Sequence, residues 1–280
     1  MTTTIEWRGL TISRDTGYRV TAISGWEDLP DLTSTDEPRA FRDGDITRPR
    51  YARGRVVTVE GHLTDPGATG GLVAALQIAA ARSDQVEPLS ITLFGRRLTA
   101  QARIVRRTLP QDLGYQVGRQ RWALQWSCPD PLRFGPLVGS PATRLPGAAT
   151  GVVLPTTLPA ALGSAGNAVD VPNDGNAAYR PVLRVTGPTA GGFQISDIAT
   201  GRRLRYAADV PVGETVTVDL DLRRVTLSGG TSVRRLLDVA QWFDIPSGGT
   251  TIRFTQLATG GTPDPRATLT ALDIPAGAHL

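Results

Sequence analysis

The sequence has no lysine, only one cysteine and one methionine, and two histidines among 280 residues. A single cysteine excludes an intrachain disulfide framework and any metal site built on paired cysteines. All 30 basic residues are arginines, and they exceed the 26 acidic residues by four. A charge this small, without a basic face or stripe, does not indicate nucleic-acid binding. Stability must come from packing, and the length suits two domains with cores of their own.

Long apolar runs are also absent. No stretch reaches the roughly 18 residues needed to span a bilayer. The N-terminus MTTTIEWRGL has no basic segment followed by an apolar one, which is the pattern of a secretory signal. We therefore expect no membrane contact and synthesis in the cytoplasm without a visible export signal.

Groups suited to catalysis are scarce. His62 falls on the polar face of a predicted strand, and we expect little order at His279, the penultimate residue. No G-x-S-x-G elbow and no phosphate-binding glycine loop occurs. Two acid pairs could in principle hydrolyse a glycoside, which leaves a hydrolase as a third alternative for the function. They are Asp43 with Asp45 and Asp219 with Asp221. Because such acids are usually just solvated, we predict no catalytic residues, no metal site and no cofactor.

The first half of the chain contains strands that alternate between apolar and polar residues. The segments are RVVTVEGHL (55–63) and RQRWALQWSC (119–128). Alternation places one side of each strand in a core. The predicted core residues are Val57, Val59, Leu63, Trp122, Leu124, Trp126 and Cys128. A thiol on that face is expected to be buried and inert.

One helix and one hairpin follow the first of these strands. The alanine-rich segment 70–83 has helical spacing and no proline, so we predict a helix that packs on one face of the first sheet. Residues 89–108 then form two strands, with a turn predicted over Phe94–Arg97.

Two segments are rich in turn residues. Residues 28–50 are polar, charged and interrupted by prolines, which predicts a long loop or an extended arm. Two prolines after Cys128 end the first domain. From 136 to 176 glycine, alanine, proline, threonine and valine prevail, which indicates a linker or partly paired strands leading into the second domain.

The second half of the chain is predicted to be all β, with seven strand candidates between glycine or aspartate turns. The stretch QWFDIPSGGTTIRFT (241–255) is either a sandwich corner or a sugar-binding loop. Trp242 and Asp244 are the candidate glycan contacts. Because Trp242 and Phe243 are adjacent, at least one of them should point into the core.

Several motifs occur in an order that resembles the distal tail protein family of long-tailed phages. In the first half they are SGWEDLPD (24–31), DGD (43–45), RGRVVTVEGHL (53–63), a helix followed by a hairpin, and WSCPDPLRF (126–134). The second half has NDGNAAYRPVLRVTG (173–187) and WFDIPSGGTTIRF (242–254). The similarity covers nearly the whole chain, although 136–172 is richer in small residues than is typical of the family.

The resemblance implies a mainly β protein of two domains. Residues 1–136 would form a β-sandwich-like ring domain with one α-helix and a hairpin, and residues 137–280 a galectin-like β-sandwich that begins with the 136–176 segment. It also implies a structural virion protein at the phage tail tip. Hexameric rings would connect the tail tube protein to the hub and support receptor-binding or side-fibre proteins. DNA would pass through such a ring without sequence-specific binding.

The contacts in such a ring are expected on the arm at 28–50 and on the hairpin at 89–108. The candidate residues are Arg39, Phe41, Arg42, Asp43, Asp45, Arg96 and Arg97. Under the alternative function, a glycan-binding adhesin subunit of the tail tip, Trp242 and Asp244 would contact the sugar.

Overall fold

The computed structural model describes residues 3–33, 36–146, 167–257 and 263–280. The chain divides into two compact units, Met1–Pro136 with His279–Leu280 and Leu137–Ala278. Both units are built mainly from β-strands, so the predicted fold class is confirmed. None of the helices formed by the described residues is long and apolar enough to cross a membrane.

The first unit is an antiparallel sheet with a helix and an arm. The order of its main strands is β2-β1-β9-β10-β11-β8-β3, and β12 pairs with β10. The elements are β1 (Thr4–Trp7), β2 (Leu10–Ile12), a 3-10 turn (Arg14–Thr16), β3 (Tyr18–Ser24), β4 (Leu32–Thr33), β5 (Glu37–Pro38), β6 (Asp45–Ile46), β7 (Tyr51–Ala52), β8 (Arg55–Leu63), α1 (Thr69–Ala79), β9 (Glu87–Leu93), β10 (Arg96–Thr108), α2 (Leu113–Gln116), β11 (Arg121–Cys128) and β12 (Arg133–Phe134).

The core of this unit lies where strand alternation predicted it. The inward residues of β8 and β11 are all at most 2% exposed, while Val56 on the opposite face is 52% exposed. Trp7 packs edge-on against Trp126, with ring centroids 6.0 Å apart. Four buried tryptophans thus give a small domain a large apolar core.

The predicted helix is present as α1 and ends at Ala79, four residues before the predicted end. Side chains from the sheet bind the carbonyl groups of its last turn. Trp7 Nε1 donates to Ala79 O (3.0 Å), and Arg107 Nη1 donates to Gln77 O (2.9 Å) and Ala80 O (3.2 Å). Because these carbonyls lack partners within the helix, the bonds stabilise its C-terminus on the sheet.

The hairpin turn is shorter than predicted. Only Phe94 and Gly95 lie outside the strands, with φ of 51° and 80°, and Arg96 already pairs with Leu93. Positive φ at both central residues defines a two-residue turn that matches the twist of the strands. Arg96 and Arg97 therefore belong to β10.

Cys128 ends β11 and is completely buried. Burial raises the pKa of its thiol to about 11, against an opposing effect of the Arg55 charge. Only about one thiol in a thousand is then ionised at pH 8. The sequence-based expectation of a buried thiol is confirmed.

We expect Cys128 to resist labelling by iodoacetamide in the native protein at pH 8, because both access and thiolate are lacking. Labelling should become complete after unfolding in urea. A cysteine introduced by Val212→Cys, at a position 66% exposed, is the reactive control. Mass spectrometry of the native protein would contradict the prediction if Cys128 were modified as quickly as that control.

The second unit consists of two five-stranded antiparallel sheets, β14-β23-β16-β19-β20 and β15-β22-β17-β18-β21, and a short β13-β24 ladder. The elements are β13 (Leu137–Gly139), β14 (Ala142–Arg144), β15 (Ala168–Val171), β16 (Val182–Thr186), β17 (Phe193–Asp197), β18 (Arg203–Tyr206), β19 (Thr215–Asp219), β20 (Arg224–Leu227), a 3-10 turn (Arg234–Leu236), β21 (Leu237–Ala240), β22 (Thr250–Gln256), β23 (Thr268–Leu272) and β24 (Ile274–Pro275). The last strand, β25 (Ala278–His279), has one residue in each unit. The seven strands predicted for this half, in RPVLRV, GGFQISDI, RRLRYA, ETVTVDLDL, RRVTLSG, TTIRFTQ and ATLTALDI, are present as β16 to β20, β22 and β23. Of the predicted 136–176 segment, residues 147–166 lie outside the described part.

The stretch 241–255 is a corner of this unit, as predicted. Phe243 is 1% exposed and enters the core, whereas Trp242 stays half-buried at the surface. The amide of Gly249 donates to Pro246 O (3.0 Å) in the turn. Phe254 then returns to the core on β22.

His279 is not the disordered terminal residue that its position suggested. It ends β25 and belongs to the first unit. Partial burial and the charges of Arg96 and Arg133 lower its pKa. Arg133 Nη2 also donates to Leu280 O (3.1 Å), which holds these residues on the unit.

Candidate assembly surface

The most exposed feature of the first unit is the arm, residues 29–53, which leaves the sheet after β3 and returns at β8. It pairs with itself through two short antiparallel ladders. Leu32 lies opposite Ala52 in the β4-β7 ladder, and Glu37 lies opposite Ile46 in the β5-β6 ladder. The predicted arm is therefore a two-stranded ribbon.

Charged side chains hold the two halves of the ribbon in register. Arg50 Nη2 contacts Asp36 Oδ2 at 2.5 Å, and Arg48 Nη2 contacts Glu37 Oε2 at 3.0 Å. Arg48 also donates its backbone N–H to Asp36 Oδ1 (3.0 Å). Each exposed ion pair contributes little, about 0–1 kcal/mol, but together they disfavour other registers.

The outer part of the arm has no core of its own. Every residue from 37 to 50 is exposed, and the Phe41 side chain is fully exposed at the tip. Phe41 also has a φ of 64°, which is uncommon for a residue other than glycine. An apolar side chain exposed at a projecting turn is available for contact with another protein.

Five of the predicted contact residues lie together at this tip. They are Arg39, Phe41, Arg42, Asp43 and Asp45, all on or beside the turn between β5 and β6. The amide of Arg39 donates to Gly44 O at 3.0 Å, which closes the turn.

The other two predicted residues, Arg96 and Arg97, lie on a different element. Both are on β10, beside the turn at Phe94. Arg97 Nη2 donates to Glu6 Oε2 at 2.6 Å, which ties it to β1 of its own sheet. Phe94 is 80% exposed, so this hairpin also ends in an exposed aromatic.

The root of the arm is organised by Arg55, which sequence reasoning missed. Its side chain is 2% exposed. Nη1 donates to three backbone carbonyl oxygens, those of Gly25 (2.7 Å), Trp26 (2.8 Å) and Asp28 (2.7 Å), and Nε donates to Pro131 O (3.2 Å). Burial lowers the pKa of Arg55, as does the nearby charge of Arg133. One guanidinium thus joins the chain entering the arm to the end of the domain.

A second buried arginine, Arg133, also lies at the root of the arm. Arg133 is 3% exposed, lies over the Trp26 ring with its Cζ 5.6 Å from the centroid, and has Nη1 3.0 Å from Glu27 Oε2. Three of the sequence motifs, SGWEDLPD, RGRVVTVEGHL and WSCPDPLRF, therefore meet at the root of the arm.

The sheet of the first unit also ends in a long edge strand. β3 has seven residues and is the last strand in the order, paired with β8. The register shifts between Val20 and Ala22. An edge strand offers unpaired backbone N–H and C=O groups to another chain, and a bulge of this kind restricts such pairing.

The candidate catalytic acids have structural roles or are solvated. Asp219 Oδ1 accepts the backbone N–H groups of Asp221 (3.0 Å) and Leu222 (2.8 Å), so this acid shapes a turn. Asp43 and Asp45 are on the exposed arm tip. Within the described part of the chain, no group of three or more His, Cys, Asp or Glu residues could hold a metal ion.

The candidate glycan residues are surrounded by arginines. Arg234 lies over the Trp242 ring, with its Cζ 5.7 Å from the centroid. Asp244 has one carboxylate oxygen 3.9 Å from Arg180 and the other 3.9 Å from Arg202. The structure thus brings Trp242 and Asp244 together with three cations.

Residues 174–263 match the sequence model of a family described as a siphovirus-type tail component, C-terminal domain. The matched residues all lie within the second unit. The resemblance to distal tail proteins is thereby confirmed, and it extends from the tail-component domain to the fold of the whole chain.

The fold of the whole chain is similar to that of SPP1 Dit, described as a paradigm of the hub adsorption apparatus in phages infecting Gram-positive bacteria. The TM-score is 0.67 at 18% sequence identity, over 99% of both chains. Two structures of the activated phage p2 baseplate, with Ca and with Sr, have TM-scores of 0.49, at 10% and 11% identity, over 96% of this chain and 97% of theirs. No curated protein sequence matches the chain.

Proposed function

We propose that the chain is a structural protein of the distal phage tail that assembles into a hexameric ring. The observation that carries the proposal is the fold shared with SPP1 Dit over 99% of both chains. A similarity confined to one domain would point to a module used in many settings. Here both units and their order along the chain are shared.

The first domain, residues 1–136, is proposed to form the ring. A ring requires a heterologous interface, in which one surface of a subunit binds a different surface of the next, with a rotation that closes. Two features support this role, the projecting arm with Phe41 at its tip and the seven-residue edge strand β3, whose bulge between Val20 and Ala22 restricts pairing to part of its length. We propose that the arm and the 89–108 hairpin reach the neighbouring subunit or the tube, assisted by strand pairing and by packing of the helix on the neighbouring sheet.

The ring would join the major tail protein of the tube to the tail-tip hub. The second domain, proposed to be a galectin-like sandwich over 137–280, would project outward as a scaffold for receptor-binding or side-fibre proteins. DNA would pass through the ring without sequence-specific binding, so the role requires no enzymatic activity. The protein would be made in the host cytoplasm and reside in the virion at the tail tip.

Native mass spectrometry combined with negative-stain imaging tests this proposal. We expect six-fold rings, single or stacked, at high protein concentration, either with the purified chain or after addition of the tube protein. Omitting the tube protein shows whether the ring forms without a template. A chain that stays monomeric at every concentration and in the presence of the tube protein would contradict the proposal.

A further inference from the structure

A cluster in the second unit is not explained by a role in a ring. Arg180, Arg202 and Arg234 come from three separate segments and surround Trp242 and Asp244 at the sandwich corner. We name these five residues the arginine corner. All of them lie in one compact unit, so the cluster is a property of that unit alone.

The arginines of the corner are close to carboxylates without being hydrogen-bonded to them. Arg180 and Arg202 are each 3.9 Å from an oxygen of Asp244, and Arg180 is 3.7 Å from Asp221. Hydrogen bonds between a guanidinium and a carboxylate are about 2.7–2.9 Å long. The two guanidinium groups therefore keep N–H donors for a further acceptor.

The charge of the corner favours an anionic ligand. Three arginines face two carboxylates, those of Asp221 and Asp244, which leaves one positive charge. The side chains of Arg180, Arg202 and Asp244 are 40–55% exposed, so an incoming group can reach them. One further carboxylate would balance the charge, and the planar guanidinium fork matches its two oxygens.

The ring of Trp242 gives the corner an apolar surface beside these donors. It is half-buried, and Arg202 Nη1 donates to its backbone carbonyl oxygen at 3.4 Å, which places a guanidinium next to the indole. Binding sites for small molecules combine such an apolar surface with a few fixed polar groups. Arg234 covers one face of this indole, so a sugar ring would pack against the exposed part of the ring that remains, whereas an acidic peptide would need only the charges.

We propose that the arginine corner binds an acidic saccharide, with the carboxylate of a uronic acid held by Arg180 and Arg202 and the sugar ring beside Trp242. This site is independent of ring assembly, because its residues belong to the second unit and a monomer would bind equally well.

Tryptophan fluorescence can report on this site alone. Trp242 is the only tryptophan of the second unit, and the four others, Trp7, Trp26, Trp122 and Trp126, are at most 2% exposed in the first unit. We expect a saturable change in emission on titration with trigalacturonate and none with neutral galactotriose. Raising the salt from 50 to 500 mM should weaken binding, because exposed charges are screened.

Single substitutions assign the contacts. Arg180→Gln and Arg202→Gln should each weaken trigalacturonate binding by about tenfold, since each removes charge-assisted hydrogen bonds. The control Arg184→Gln removes the same charge from an exposed position on β16 and should leave binding unchanged. Trp242→Phe should abolish the emission change, and calorimetry then measures what affinity remains.

Each outcome decides the proposal. Loss of affinity in both glutamine variants, with the control unchanged, supports it. Three results would overturn it: galactotriose binds as well as trigalacturonate, the two glutamine variants bind with the affinity of the unaltered chain, or 10 mM trigalacturonate gives no binding. Binding of a glutamate-rich peptide in place of trigalacturonate would also overturn it, and would assign the corner to a protein partner.

Discussion

A chain with a shortened arm should remain fully folded and form no rings. The variant replaces residues 37–47 with Asn-Gly, a dipeptide suited to a two-residue turn between strands. Its ends are compatible with such a turn, because the amide of Arg48 already donates to the Asp36 side chain at 3.0 Å. The deletion thus removes the tip and keeps the inner ladder of the arm.

The expected stability follows from exposure. Every residue in the deleted segment is exposed, so no buried apolar surface is lost, and a shorter connection also lowers the entropy cost of closing the loop. Ring assembly should be lost, because the deleted segment contains five of the proposed contact residues, including Phe41. Native mass spectrometry measures the oligomer and thermal unfolding measures the fold.

Point substitutions separate the contributions to the ring. Phe41→Ser removes only the apolar tip, and Phe94→Ser removes the equivalent aromatic of the other hairpin. Leu222→Ser, at a turn of the second unit that is 60% exposed, is the control and should assemble normally. Rings of normal size from the shortened chain would show that the arm is not an assembly contact.

The strands of both units could be predicted because burial on one face leaves a period of two in the sequence. Val57, Val59 and Leu63 are all fully buried, as their alternation in RVVTVEGHL predicted. The two ladders of the arm show no such period in the sequence. β5 and β6 are two residues long and exposed on both faces, so their pairing follows from turn closure and ion pairs.

The hairpin turn at Phe94–Gly95 shows a different limit. Asn-Gly and Asp-Gly are the usual signals for a turn with two positive φ angles, and a phenylalanine in that position is not one of them. The turn was therefore predicted over four residues, which assigned Arg96 and Arg97 to it.

The role of Arg55 could not be predicted, because its hydrogen-bond partners are backbone carbonyls, which have no sequence signature. A backbone carbonyl is present at every residue, so the oxygens of Gly25, Trp26 and Asp28 cannot be recognised as acceptors before the fold is known. The period of two in RVVTVEGHL places Arg55 on the face of Val57 and Val59, but an arginine is mostly exposed in proteins, so this position alone does not predict a buried side chain.

Removal of the Arg55 side chain should strongly destabilise the first unit. Arg55→Met keeps much of the apolar volume and removes the cost of burying a charge beside Arg133. It also leaves the carbonyls of Gly25, Trp26, Asp28 and Pro131 without this donor. The bond to Trp26 is buried and the other three are partly buried, so the cost of each lost partner lies toward the lower end of about 1–3 kcal/mol. Because four acceptors are affected, their loss outweighs the relief, and we expect a net loss of about 2–4 kcal/mol.

Urea unfolding followed by tryptophan emission measures this loss, because four of the five tryptophans report on the first unit. Arg55→Lys keeps the charge, but its ammonium group has fewer N–H donors and lacks the planar fork of a guanidinium. We therefore expect it to lose about half as much stability as Arg55→Met. Arg53→Met, at the exposed neighbouring position, is the control and should unfold at the same urea concentration as the unaltered chain. If Arg55→Met unfolded at the same urea concentration as Arg53→Met, the four carbonyls would not need the guanidinium as a hydrogen-bond donor, which would contradict the prediction.

The same substitution tests whether a fixed root matters for assembly. Binding costs free energy for every segment that must be ordered in the complex, so an arm already fixed at its root reduces the cost of each contact in a ring. Arg55→Lys is assayed without urea, where it should remain folded. We expect it to assemble only at a higher protein concentration than the unaltered chain. Phe41→Ser should weaken assembly without a change in stability, whereas Arg55→Lys should change both. Assembly of Arg55→Lys at the concentration of the unaltered chain would mean that Arg55 stabilises the domain without positioning the arm.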